Sequence, residues 1–164
     1  MAVLRRATAG ATAVAALALL VPAVPASAHE RGHGKSPQTL LTAPLAGSLP
    51  TDPSLFSVAP GALPWVIESG TASVRADGRL RVEVDGLVVP TAPQRGTNPV
   101  PRVSASLACN GQVVATTATV PFSTRGHAEI SAHVTIPARC LAPAVLLNPN
   151  GNAGLFIAVT GSAG

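Results

Sequence analysis

From Pro64 onward, apolar and polar residues alternate with a period of two in run after run, the pattern of strands with one face buried. In TASVRADGRLRVEVDG, Ala72, Val74 and Ala76 alternate with Ser73 and Arg75, and Leu80, Val82 and Val84 alternate with Arg79, Arg81 and Glu83. A two-residue Asp77-Gly78 turn would set Val74 opposite Arg81 and mix the two faces. A three-residue loop, Ala76-Asp77-Gly78, pairs Val74 with Leu80 and Ala72 with Val82, with Gly78 in the left-handed position. In VSASLACNGQVVATTATV the parity is reversed, and a tight Asn110-Gly111 turn is predicted, pairing Leu107 with Val114 and Val103 with Ala118. From His127 to Ile136, Ala128, Ile130, Ala132, Val134 and Ile136 point inward, and His127, Glu129, Ser131, His133 and Thr135 point outward. Segments 144–147 and 155–160, separated by NPNGNAG, and a short strand at Trp65 complete the set. Seven or eight antiparallel strands with hairpin spacing predict an all-β fold: a single β-sandwich, immunoglobulin-like in general architecture, over residues 64–164.

The N-terminal third reads differently. Arg5 and Arg6 precede an apolar run from Ala11 to Val24, and Ala26-Ser27-Ala28 offers small residues at a cleavage site. Residues 1–28 therefore read as a signal peptide, cut after Ala28, which makes the product secreted. Ala-Thr-Ala after the arginine pair favours the general secretory route over a twin-arginine signal. The run falls short of the roughly 20 apolar residues a spanning helix needs, and no second such run follows, so the mature protein is expected to have no membrane span. Between His29 and Leu63 the prolines 37, 44, 50, 53 and 60 recur without alternation, which predicts a flexible Pro-rich arm or linker.

Removing the leader changes the charge. Eleven basic residues stand against seven acidic ones in the full chain; two of the eleven lie in the leader, leaving nine against seven and a mature net charge of +2. That small excess, with only Trp65, Phe56, Phe122 and Phe156 as aromatic side chains, argues against nucleic acid as a partner, because base-stacking platforms need rings. Two cysteines in an exported chain are expected to pair, so we read Cys109 and Cys140 as a disulfide.

Candidate chemistry is sparse. His29-Glu-Arg-Gly-His33 matches the His-Glu-x-x-His string of zinc peptidases, which needs both imidazoles on one face of a stable helix. His29 is the expected first residue of the mature chain, Gly32 and Gly34 interrupt the stretch and Pro37 follows. The match is therefore read as coincidence. A mature amino terminus followed by His29, with His33, could still chelate copper, and this is the alternative function: a copper-binding protein or oxidoreductase. Otherwise no cofactor is expected. His127 and His133 lie six residues apart on one strand, roughly 20 Å, too far to share a metal. The neighbours His127 and Glu129 read as solvated residues of an exposed face. Arg75, Arg79 and Arg81 gather on the outer face of the first hairpin as a candidate anion-contact surface. Ser162 lacks the strand-to-helix elbow of a serine hydrolase. The proline-rich connection 90–102 is the best candidate for a recognition loop.

PWVIESGTASVRADGRLRVEVDGLVVP, GTNPVPRVSASLACNG and ARCLAPAVLLNPNG together resemble a group of small exported proteins of actinobacteria, over about residues 64–160. The resemblance implies export and a β domain and brings no functional residues with it. The expectation is a secreted, non-enzymatic envelope or extracellular interaction protein with a cell-wall or other extracellular partner.

Overall fold

In a computed structural model, residues 38–162 are described, and all of their regular structure is β. The strands are β1 (Thr39–Gly47), β2 (Ala59–Pro60), β3 (Ser69–Arg75), β4 (Arg79–Asp85), β5 (Arg102–Cys109), β6 (Gln112–Thr116), β7 (Val120–Pro121), β8 (Ala128–His133), β9 (Ala144–Pro149), β10 (Leu155–Phe156) and β11 (Ala158–Thr160). Eight of them form one antiparallel path, β6-β5-β9-β11-β1-β3-β4-β8, with β7 also on β5 and a small parallel β2–β10 pair beside it. The path curls around a common core, so the fold is an all-β sandwich with a half-barrel bend. It is not a strict immunoglobulin arrangement, in which two sheets remain separate.

The continuity comes from β1. Its first part, through Pro44, pairs with β3, and Leu45, Ala46 and Gly47 pair with β11. Pro44 sits where the strand changes partner, a place that tolerates a residue without an N–H. This corrects the expectation of a flexible arm over residues 29–63. From Thr39 the chain belongs to the β domain, and Leu45 is buried in its core. Two local features hide the strand from a periodicity reading. A register irregularity between Thr39 and Leu41 breaks the alternation, and the proline supplies a linker signal. Residues 29–37 lie outside the described residues, as do residues 1–28, the segment expected to be a signal peptide, and the expected cleavage site after Ala28.

Facing sides of the two halves meet in a core that includes Val74, Leu80, Val82 and Ile130 from one and Val103, Leu107, Val145 and Leu147 from the other, with Trp65, Leu87 and Phe122 alongside. A second, smaller cluster lies on the opposite side of β5 and β9. There Ala108, Leu146 and Phe156 pack with Val58, and Leu55 and Phe56 add to them. Residues 55–60 thus cover the outer side of that half. This is why Ala108 and Leu146 are buried although they point away from the main core, and Ser104, Ser106 and Asn148 are buried on the same side. Ser106 Oγ donates to Asn148 Oδ1 at 2.7 Å, and Asn148 Nδ2 donates to the Leu155 carbonyl at 2.7 Å, so Ser106 and Asn148 are partnered, whereas the buried Ser104 hydroxyl has no hydrogen-bond partner among the described residues.

Val74 pairs with Leu80 and Ala72 with Val82, as parity requires, and Gly78 has φ +92°. The second hairpin does turn at Asn110-Gly111, both with positive φ as a type I′ turn demands. Its strands then slip by one residue between Leu107 and Ala108, so Leu107 faces Ala115 rather than Val114, and Val103 faces Val120 of β7 rather than Ala118. Absorbing one extra residue in the bulge keeps the apolar face inward.

Cys109 and Cys140 form the expected disulfide, with Cα atoms 4.9 Å apart, joining the end of β5 to the connection between β8 and β9. Among the described residues, no helix is long and apolar enough to cross a membrane.

Candidate functional site

One broad sheet surface stays open: the outer side of β1, β3, β4 and β8. Pleating sends alternate side chains outward, and the strand registers set them in rows. Arg79 faces His133, with Arg75 beside Arg79 across the hairpin loop and Thr39 beyond Arg75. The next row is Thr42, Ser73, Arg81 and Ser131. A third contains Pro44, Thr71, Glu83 and Glu129. In the fourth, Ser69 faces Asp85, and His127 Nδ1 lies 3.8 Å from Asp85 Oδ1. The face therefore has a basic end near the hairpin loop and an acidic end two rows away, separated by about 7 Å per row.

Each end is hollowed. Glu83, Asp85, His127 and Glu129 line a cleft of about 370 Å³ with Ser69 and Thr71. At the basic end, Ser73, Arg75, Arg79 and Arg81 line a depression of about 260 Å³. Across β4, Arg79 and Arg81 with Ser131 and His133 line another of about 360 Å³. Asp77 approaches Arg79 Nε at 3.4 Å; Asp77 is half-buried, but the Arg79 side chain is largely exposed, so solvent screens the pair. Among the described residues, no carboxylate lies within ion-pair distance of Arg81.

The acidic row has a serine, an aspartate and a histidine, yet their order is unsuited to nucleophilic catalysis. Asp85 stands between Ser69 and His127, so the hydroxyl and the imidazole are two strand spacings apart, about 10 Å. A base must reach the proton it removes, at about 3 Å. Nor is a metal centre built there: among the described residues no group of three His, Cys, Asp or Glu side chains is arranged to hold an ion.

No protein-family model, curated protein or solved structure matches this chain.

Of the sequence-derived candidates, Arg75, Arg79 and Arg81 do share one face, and the structure adds Ser73, Ser131 and His133 to them. The signal for the hydroxyls was present in the alternation. The pairing of β8 with β4 leaves no such signal, because the three strands β5, β6 and β7 intervene in sequence between these sheet neighbours. His127 and His133 stand at opposite ends of the face and do not converge. The copper candidates His29 and His33 lie outside the described residues. The 90–102 connection is pinned by buried Asn98, whose Nδ2 donates to the carbonyls of Val100 and Ser123 at 2.7 and 2.8 Å and whose Oδ1 accepts from Val100 N–H at 2.8 Å. Its tip, Pro90 to Pro93, is exposed. Ser162 is exposed near the end of the described chain.

Proposed function

We propose that this chain is an exported, disulfide-stapled interaction protein of the cell envelope or its surroundings, and that the β1-β3-β4-β8 face is its contact surface. The observation that carries the reading is asymmetry between the two outer sheet surfaces. Residues 55–60 bury part of one under a second apolar cluster. The other is open, hollowed and divided into a basic and an acidic end. A charge-divided surface steers and orients a partner more than it stabilises the domain. The leader-like residues 1–28 and the paired cysteines support an oxidising, extracytoplasmic setting.

Co-sedimentation of the mature chain with purified cell-wall material tests this. Wild type should sediment with the wall, and a variant with Thr71→Trp and Ser73→Trp, whose rings obstruct the centre of the face, should stay in solution. Equal sedimentation of both would show that another surface makes the contact, and failure of the wild type would remove the envelope role.

A further inference from the structure

We propose that the basic half of this face is a binding site for a polymer bearing closely spaced phosphate groups, held by Arg79 and Arg81 with Ser73 and Ser131 as neutral hydrogen-bond donors. The inference rests on the reading of this face as the contact surface and specifies the chemistry of what it meets.

The two basic depressions share Arg79 and Arg81 and lie on either side of β4. Their centres are thus about one strand spacing apart, ~4.8 Å. One isolated oxyanion can fill only one of them, whereas neighbouring groups along a chain can fill both. Each depression offers guanidinium donors from the strand they share and a serine hydroxyl from the strand beyond it. Donors arriving from separate strands suit a tetrahedral oxyanion with three or more accepting oxygens. A planar carboxylate is satisfied by a single guanidinium fork. Arg75 and His133 extend the positive field along the row nearest the hairpin loop.

The acidic end fixes the ligand's direction. Glu83 and Glu129 follow Arg81 and Ser131 two residues along their strands, about 7 Å away. An anionic chain running along the strands would meet both carboxylates. Running across the strands, from β3 over β4 to β8, it meets the row of arginine, serine and histidine side chains, with the Asp77 carboxylate of the hairpin loop at one side beside Arg79. The bound polymer therefore lies perpendicular to the strands.

Titration calorimetry with a short linear polyphosphate, orthophosphate and polyglutamate, each added to the mature disulfide-bonded chain, tests the proposal. Polyphosphate should bind, more weakly as salt rises, and orthophosphate should bind at least about tenfold more weakly because it occupies one depression at a time. A variant with Arg79→Ser and Arg81→Ser should lose at least about tenfold in affinity while keeping the wild-type circular dichroism and melting cooperativity. Glu129→Gln should tighten binding. Polyglutamate binding as tightly as polyphosphate, or the arginine variant binding like wild type, would overturn the inference. Should polyphosphate fail to bind while the chain still sediments with wall material through this face, the phosphate chemistry is wrong and the contact surface stands.

Discussion

Asn110 and Leu141 clasp each other through two hydrogen bonds, each 2.9 Å long: Asn110 N–H to the Leu141 carbonyl, and Leu141 N–H to Asn110 Oδ1. Asn110 Nδ2 also donates to the Arg139 carbonyl at 2.8 Å. The residue after each cysteine of the disulfide is thus engaged with the other, so the staple at Cys109–Cys140 is backed by a polar clamp. Asn110 has two duties, since its φ of +58° also forms the tight turn.

Those duties can be separated by substitution. Glycine keeps the left-handed turn and removes the side-chain bonds, so Asn110→Gly should lower stability by about 1–3 kcal/mol, two hydrogen bonds' worth. Asn110→Ala loses the bonds and also strains the backbone, and should lose more than the glycine variant. Urea denaturation of both variants measures the difference; equal loss would show that the backbone conformation carries no cost here.

Replacing both cysteines by serine releases a loop spanning 31 positions. On the chain-entropy account this should cost about 3–4 kcal/mol. Because the Asn110 clamp and the core around Cys109 remain, the double variant should still unfold cooperatively, at a lower denaturant midpoint. A non-cooperative melt would mean that the clamp cannot hold the connection unaided.

What could be seen in the sequence follows the range of the interactions. Local parity set the first hairpin, and the structure has Val74 on Leu80 as parity demands. Paired cysteines were legible from their number. The tight Asn110-Gly111 turn was legible too, but the bulge after it was not, because one unmatched residue among Val113, Val114 and Ala115 leaves no compositional trace. Strand β1 was missed altogether. Its partners, β3 and β11, are some thirty and more than a hundred residues away in sequence, and nothing in TLLTAPLAG announces them. For the site, the three arginines were visible, whereas Ser131 and His133 joined them only through the non-local β4–β8 pairing.

The cover formed by residues 55–60 should contribute to stability as a core does. Phe156 is fully buried in the second cluster, so Phe156→Ala should cost about 3–5 kcal/mol. Val58→Ala, which trims the covering segment itself, should also destabilise. Val66 is 46% exposed, and Val66→Ala, as a comparison, should stay within about 0.5 kcal/mol of wild type. A Val58 variant as stable as wild type would mean that this stretch lies on the domain without supporting it.

Glu83 and Glu129 are cross-strand partners on the open face, and like charges in that relation destabilise a sheet. Removing either charge relieves the same repulsion, so Glu83→Gln and Glu129→Gln should each raise stability by about 0.2–1 kcal/mol, and the double variant should gain less than the sum. Raising salt should narrow the gap between wild type and either variant, because screening does the same work as the substitution. Unchanged stability in both single variants would show that solvent already screens the pair. If the gain appears, the face keeps an arrangement that the fold alone would not favour, as expected of a surface whose charges serve a partner. The neighbouring row gives the expected sign of the functional effect: Glu129 stands two residues from Ser131, and taking its charge away strengthens the site for anions while it steadies the sheet.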